Sequence, residues 1–194
     1  MAKLYFKYGA MGSSKTANAL ITKFNYEERG MKVWLIKPSI DVRDGANVVR
    51  SRIGLSSQAE IITPSKNLFE EYKNHPDCHV IIADECQFFT PEQIDQLRRI
   101  VDQMDVPVLC YGLRTDFLTH LFPGSRRLFE VADSITEIKT ICGCGKKAIV
   151  NARIDGAGKI VTEGGQILIG GNDSYIAMCH SCWQNAIAKQ RKIK

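Results

Sequence analysis

The stretch LYFKYGAMGSSKT, from Leu4 to Thr16, decides which fold the chain can adopt. Its first five residues are an apolar, β-forming run that stops at Gly9, and the residues after Thr16 have the apolar spacing of a helix. The segment between them differs from the phosphate-binding P-loop pattern GxxxxGK(S/T) at one place, where Ser14 replaces the second glycine. A strand, a glycine-rich loop and a helix in this order predict a phosphate site.

In such a loop, unpaired backbone N–H groups and the helix dipole both favour an anion. Lys15 adds a positive charge, and Thr16 adds a ligand for Mg²⁺. Ser14 fits if its φ is negative; otherwise it strains the loop and weakens nucleotide affinity. The alternative is a Ser- and Gly-rich turn before a helix, without a ligand. The residues expected to surround the phosphates are Gly9, Ala10, Met11, Gly12, Ser13, Ser14, Lys15 and Thr16.

A second apolar strand ends in two carboxylates. Val80–Ala83 run directly into Asp84 and Glu85, as in the Walker B pattern, which places an aspartate beside the nucleotide's Mg²⁺. We expect Asp84 to hold Mg²⁺ directly or through water, and Glu85 to accept a proton from a hydroxyl or a water. The alternative for Glu85 is a surface charge that caps the following turn.

Strands and helices alternate over the first 141 residues, which predicts an α/β fold with a mainly parallel sheet and helices on both faces. Thr90, Pro91 and Gln93 supply the N-cap, N1 proline and capping-box partner of one helix. The stretch Pro38–Ser57 has no clear period and predicts a long loop. The other expected strands are Val33–Ile36, Val106–Tyr111 and Ile135–Thr140, and the other expected helices are Ser65–Lys73 and Arg126–Val131.

Composition is that of a globular protein, because 44% of the 194 residues are hydrophobic and 24% are charged. The net charge of +5 comes from basic residues spread along the chain, which cluster only at Lys189, Arg191, Lys192 and Lys194. We interpret that cluster as a solvated tail; the alternative is an arm that binds nucleic acid. No secretory signal and no run of about 18 apolar residues is present, so we expect a cytoplasmic protein without nucleic-acid or membrane partners.

Four of the seven cysteines form two close pairs, Cys142 with Cys144 and Cys179 with Cys182. Four thiolates can close a tetrahedral Zn²⁺ site in which every ligand is a protein atom, so the metal would be structural. Disulfides are the alternative, but the cytoplasm is reducing. Because the chain becomes rich in glycine turns from Cys142 onward, we expect two domains, residues 1–141 and 142–194.

The order of these motifs resembles the cytosolic-type (type II) thymidine kinases over nearly the whole chain: a P-loop, DECQF at Asp84–Phe88, CxC, GGNDSY, and a final CxxC. The resemblance implies a RecA-like kinase domain that binds ATP and Mg²⁺, and a small zinc domain whose lasso-like loop covers the nucleoside. It further implies that the 5′-hydroxyl of thymidine attacks the γ-phosphate to give dTMP. Tetramers and inhibition by dTTP are also implied.

Residue roles follow from the same resemblance. Asp84, Glu85, Cys86 and Gln87 would complete the triphosphate site, with Glu85 as general base, and Lys15 and Arg43 would neutralise phosphate charge. Asp41 and Arg43 match the family's DxR beside the 5′-hydroxyl. Met11, Phe88, Leu113, Phe117 and Phe122 match apolar positions around thymine, for which ordinary core is the alternative. The lasso matches Leu168, Ile169, Gly170, Gly171 and on to Tyr175.

Two departures from the family pattern are Ser14 and the CxC spacing, which is one residue shorter than the CxxC of many members. Two other functions remain open: a nucleic-acid-dependent ATPase with a zinc ribbon, and a nucleotide-binding regulator without catalysis. Selectivity for thymidine over deoxyuridine is not set by the sequence, since one methyl group is worth only about 1 to 3 kcal/mol.

Overall fold

The computed structural model describes residues 1–42, 45, 47–167 and 174–192 of the chain. The central sheet consists of β1 (Leu4–Tyr8), β2 (Val33–Pro38), β5 (Glu60–Ile62), β6 (Val80–Ala83), β7 (Val108–Gly112) and β8 (Ser134–Glu137). Its order is β5-β2-β6-β7-β1-β8, and every pairing within it is parallel. The predicted α/β fold with a mainly parallel sheet is confirmed.

Helices cover both faces of this sheet: α1 (Lys15–Glu27), α2 (Leu68–Tyr72), α3 (Pro91–Met104) and α4 (Pro123–Val131). Alternate residues of β6 face two different cores. Ile81 and Ala83 join the larger core with α2, α3 and α4, whereas Val80 and Ile82 join the smaller core with α1. Because both faces are covered, all four residues of β6 are buried, which explains its unbroken apolar run.

The start of α3 follows its predicted capping. The Thr90 hydroxyl accepts a hydrogen bond from the Gln93 backbone N–H at 3.2 Å, and the Gln93 side chain accepts one from the Thr90 N–H at 3.2 Å. These bonds satisfy two donors that a helix start leaves unpaired. They fix the direction in which α3 leaves the Asp84–Glu85 corner.

The predicted loop over Pro38–Ser57 is wrong for two segments. β3 (Val48–Arg50) and β4 (Ser56–Gln58) form an antiparallel hairpin, and β5 follows it directly as an edge strand that was not predicted from the sequence. Both hairpin strands are three residues long, too short to reveal a period of two. Burial of Val49 against α1's core holds the hairpin in place, and that contact is tertiary.

The described residues from Thr140 onward form small antiparallel sheets and a helix: β9 (Thr140–Ile141), β10 (Lys147–Ala148), β11 (Val150–Arg153), β12 (Tyr175–Met178) and α5 (His180–Lys192). Strand β9 pairs with β10, and β11 with β12. Lys189 and Arg191, expected in a solvated tail, are instead exposed residues of α5. In the part of the chain that the structure describes, no helix is long and apolar enough to cross a membrane.

Candidate active site

The P-loop residues Gly9–Thr16 connect the carboxyl end of β1 to the start of α1. The Lys15 ammonium donates hydrogen bonds to the carbonyl oxygens of Gly9 at 3.0 Å and Ala10 at 2.9 Å, so its side chain folds back across the loop. A Cβ on Gly9 would lie 2.3 Å from the Ile138 carbonyl oxygen, so only glycine fits there. The loop therefore surrounds a buried positive charge.

Ser14 adopts the left-handed conformation, with φ 61° and ψ 28°. Of the two alternatives for Ser14, a negative φ does not apply, and the loop has the conformation that strains a serine. This conformation costs about 1 to 2 kcal/mol for a residue with a side chain, whereas the glycine of the usual pattern adopts it without that cost. Ser14 nevertheless keeps the loop geometry, because its carbonyl oxygen accepts the hydrogen bond from the Asn18 N–H at 3.0 Å within the first turn of α1.

The positive charge of Lys15 lies close to the carboxylates of Asp84 and Glu85. Burial lowers the pKa of Lys15, while the carboxylates of Glu85 and Asp84 oppose that shift. Burial and the neighbouring Glu85 charge raise the pKa of Asp84 to about 7, although a hydrogen bond from Thr16 opposes the rise. The Thr16 hydroxyl donates that bond to Asp84 Oδ2 at 3.0 Å. A hydroxyl and a buried carboxylate in contact beside a P-loop are oxygen ligands of the kind that Mg²⁺ prefers.

Residues 84–87 form the corner after β6. Glu85 has φ 51°, and Gln87 Nε2 donates a hydrogen bond to Glu85 Oε2 at 2.6 Å. The Gln87 side-chain oxygen accepts the Leu113 N–H at 2.9 Å, so this amide connects Glu85 to the loop after β7. Cys86 is different: its side chain is fully buried in the larger core.

A cavity opens beside Glu85. The structure brings to it a large group of the residues singled out from the sequence, namely Met11, Asp41, Glu85, Gln87, Phe88, Leu113, Phe117, Phe122 and Tyr175. Phe117 and Phe122 are buried but belong to neither core of the sheet, and Phe88 meets Phe122 edge to face at 5.6 Å between ring centroids. These aromatic rings give the cavity an apolar wall with a few polar groups beside it, the kind of lining that binds small organic molecules.

Asp41 reaches the same cavity from the segment after β2. Its Oδ2 lies 3.7 Å from the ammonium of Lys37, a lysine with no exposed surface. Lys37 also donates hydrogen bonds to the carbonyl oxygens of Gly45 at 3.1 Å and Val48 at 2.8 Å. Lys37 was not predicted from the sequence. It links β2 to both ends of the segment that runs from Asp41 to Val48. Arg43 lies outside the described residues.

Two polar residues of β11 were also missed. Asn151 Oδ1 accepts the Met11 N–H at 2.8 Å, and Asn151 Nδ2 donates to the Thr115 carbonyl oxygen at 2.9 Å. This one side chain joins the P-loop to the loop that follows β7. All four residues of β11 are buried. A polar residue within such a strand was the signal by which Asn151 could have been found.

The second polar residue of β11 that was missed is Arg153, whose guanidinium lies 3.8 Å from the ring centroid of Phe117. It donates hydrogen bonds to Tyr175 Oη at 3.0 Å and to the carbonyl oxygens of Gly165 at 3.1 Å and Gln166 at 3.3 Å. Arg153 therefore holds three parts of the cavity wall together. The expected lasso residues Leu168, Ile169, Gly170 and Gly171 lie outside the described residues, and Tyr175 lines the cavity.

The four paired cysteines lie away from this cavity, where their Sγ atoms are all within 4.8 Å of one another. Cys144 Sγ and Cys179 Sγ are 3.7 Å apart. Tetrahedral geometry with Zn–S bonds of about 2.3 Å requires sulfurs about 3.8 Å apart, so the cluster suits zinc. Hydrogen bonds from the backbones of Cys144 and Cys179 lower the pKa of Cys142 to about 6, whereas hydrogen bonds with the neighbouring thiols raise the pKa of Cys182 to about 12.

Comparison with known proteins identifies the family. A family model described as thymidine kinase matches residues 2–183. This chain belongs to the thymidine kinase family. Thymidine kinases of Yersinia pseudotuberculosis and Shewanella oneidensis are each 47% identical to it; both alignments cover 96% of this chain, and they cover 97% and 99% of the respective relatives. The thymidine kinase of Escherichia coli K12 is 45% identical, with 96% of this chain and 93% of that protein covered.

Solved structures with some likeness to this thymidine kinase family member are the Pif1 helicase from Candida albicans and the Legionella pneumophila ATPase DotB. They cover 72% and 75% of this chain at TM-scores of 0.42 and 0.40, and each is 16% identical. The chain spans 36% and 43% of their lengths.

Proposed function

We propose that the protein transfers the γ-phosphoryl group of ATP to the 5′-hydroxyl of thymidine, giving dTMP and ADP. Membership of the thymidine kinase family supports the reaction and the substrate. The geometric observation that best supports the reaction is the position of Glu85. This residue lines the apolar cavity, and its charge acts on Lys15 inside the P-loop, so a nucleoside and a triphosphate would meet at its carboxylate.

The triphosphate would lie along the backbone N–H groups of Gly9–Thr16 and beside Lys15. Thr16 and Asp84 would hold Mg²⁺, which neutralises phosphate charge when bound. Gln87 would fix the orientation of Glu85 through the 2.6 Å hydrogen bond between them. Cys86 would contribute to this site only through its backbone, because its thiol lies in the core.

Thymidine would occupy this cavity, with its base among Met11, Phe88, Leu113, Phe117 and Phe122. Asp41 and Arg43 would lie beside the 5′-hydroxyl. Glu85 would accept the hydroxyl proton as the oxygen attacks the γ-phosphorus and the bond to the β,γ-bridging oxygen breaks. The segment 168–175 would cover the base and contact its polar edge through backbone groups.

Further proposals concern the rest of the chain. Residues 1–141 would form the ATP-binding kinase domain, and residues 142–194 a domain whose structural Zn²⁺ is held by Cys142, Cys144, Cys179 and Cys182. A tetramer, feedback inhibition by dTTP and a cytoplasmic location are proposed from the family resemblance.

Incubating the purified protein with ATP, Mg²⁺ and each of thymidine, deoxyuridine, deoxycytidine and deoxyguanosine tests the reaction. We expect dTMP and ADP to form in equal amounts from thymidine, with no product from deoxycytidine or deoxyguanosine. ATP hydrolysis stimulated by single-stranded DNA, without a nucleotide product, would instead support a DNA-dependent ATPase. ATP binding without transfer to any nucleoside would support a regulator.

A further inference from the structure

The turn at the tip of the β3–β4 hairpin carries Arg52, an exposed residue. Ser51 N–H donates to the Leu55 carbonyl oxygen at 2.8 Å, and the Ser51 hydroxyl accepts the Leu55 N–H at 3.0 Å. The Gly54 N–H closes the turn on the Ser51 carbonyl oxygen at 3.1 Å. Ser51 is itself buried. A turn with this many internal hydrogen bonds restricts the direction in which its second residue, Arg52, can extend.

The hairpin is also fixed relative to the P-loop. Val49 of β3 is buried in the core that includes Ala19 and Leu20 of α1, the helix that begins at Lys15. The P-loop and the hairpin therefore pack on the same helix. This packing sets where the hairpin lies relative to the loop.

The tip approaches the P-loop at Gly12. A Cβ placed on Gly12 would lie 3.8 Å from Arg52 Nη1, and Gly12 has φ +75°. The ammonium of Lys15 lies in the same P-loop, where it donates hydrogen bonds to the carbonyl oxygens of Gly9 and Ala10. Arg52 of the hairpin tip and Lys15 of the P-loop are thus two like charges on either side of the same site, and they repel each other. A negatively charged ligand between them would turn that repulsion into attraction.

We propose that Arg52 is a catalytic arginine that contacts the terminal phosphates of ATP and stabilises the charge on the transferring phosphoryl group. The inference rests on the proposed kinase function and adds a residue to it. Phosphoryl transfer requires positioning and charge neutralisation, and arginines supplied within the same chain perform this role in other P-loop enzymes. The planar guanidinium can donate two parallel N–H groups to phosphate oxygens, which a lysine ammonium cannot do. Arg52 exchanges no proton and forms no covalent bond.

Arg52→Gln and Arg52→Lys test this role, with Arg50→Gln as the matched control. Arg50 lies on β3 of the same hairpin and carries the same charge. Steady-state turnover of thymidine with ATP and Mg²⁺ would be measured at constant ionic strength, together with affinity for a non-hydrolysable ATP analogue and the thermal midpoint.

We expect Arg52→Gln to lower kcat by at least about 10²-fold while KM for thymidine and the thermal midpoint stay unchanged. Arg52→Lys should recover a minor part of the rate, and Arg50→Gln should match the unaltered protein. The proposal would be overturned if turnover and analogue affinity of Arg52→Gln both stayed within twofold of the unaltered protein, or if Arg50→Gln reduced turnover as much.

These results are distinguishable from failure of the proposed function itself. If the unaltered protein converts no nucleoside, the thymidine kinase assignment fails, and analogue affinity alone then decides the role of Arg52. A loss of about tenfold in affinity for Arg52→Gln, absent in Arg50→Gln, would support the phosphate contact. A change of less than twofold would overturn it.

Discussion

Replacing Arg153 by Met should weaken thymidine binding while leaving ATP binding intact. The change keeps an unbranched side chain but removes hydrogen bonds to Tyr175, Gly165 and Gln166 and the stacking over Phe117. All these interactions lie in the wall of the apolar cavity, and none of them involves the P-loop.

The magnitude follows from the strength of the interactions that the Arg153 guanidinium makes. A hydrogen bond from a charged donor contributes about 1.5 to 3 kcal/mol, and a cation–π interaction about 0.5 to 2 kcal/mol. Most of this stabilises the cavity with or without a ligand, so only a part affects affinity. If that part equals one such hydrogen bond, about 1.5 kcal/mol, KM for thymidine should rise about tenfold.

Steady-state kinetics with each substrate varied in turn would measure the effect. Arg99→Met is the matched control, because Arg99 also lies over an aromatic ring, that of Phe69 at 3.9 Å, but on α3. We expect Arg99→Met to keep both KM values. The reasoning would be refuted if Arg153→Met kept its KM for thymidine, if its KM for ATP rose equally, or if Arg99→Met behaved in the same way.

Lys37→Met should lower the free energy of unfolding, measured in urea, by about 2 to 4 kcal/mol, because the carbonyl oxygens of Gly45 and Val48 lose a charged donor. A change below about 0.5 kcal/mol, on the order of a neutral surface substitution, would contradict this. Ser14→Gly should raise the thermal midpoint by about 2 to 4 °C and retain ATP affinity, because glycine adopts φ 61° without strain. A lower thermal midpoint would argue against backbone strain at Ser14. Elemental analysis should find one zinc per chain, and Cys179→Ser should lose it while Cys78→Ser keeps it. Stoichiometric zinc in Cys179→Ser would exclude the four-cysteine site.

Much of the fold was predictable because its signals are local. The strand, loop and helix around Gly9–Thr16 and the apolar strand before Asp84 each lie within a short window, and the capping of α3 needs only four residues. Parallel strands with helices between them leave few possible topologies. The carboxyl ends of β1 and β6 could therefore be expected on the same side of the sheet.

The parts that were missed depend on contacts between distant segments. Ser14 has a positive φ, and the identity of serine does not reveal this. Lys37 lies near the end of an apolar strand, and nothing nearby in sequence indicates that Gly45 and Val48 accept its hydrogen bonds. Asn151 reaches Met11, 140 residues earlier in the chain. A strand of four residues gives no sign of such a partner.

The most direct test of the account is the turnover of Glu85→Gln, compared with Glu92→Gln as an exposed control. Both variants would be assayed for dTMP formation from thymidine and ATP, and for affinity for a non-hydrolysable ATP analogue. We predict that Glu85→Gln binds the analogue normally but forms dTMP at least roughly 10²-fold more slowly, because glutamine cannot accept the hydroxyl proton. Near-normal turnover of Glu85→Gln would remove this carboxylate from the role of base and contradict the account of the site.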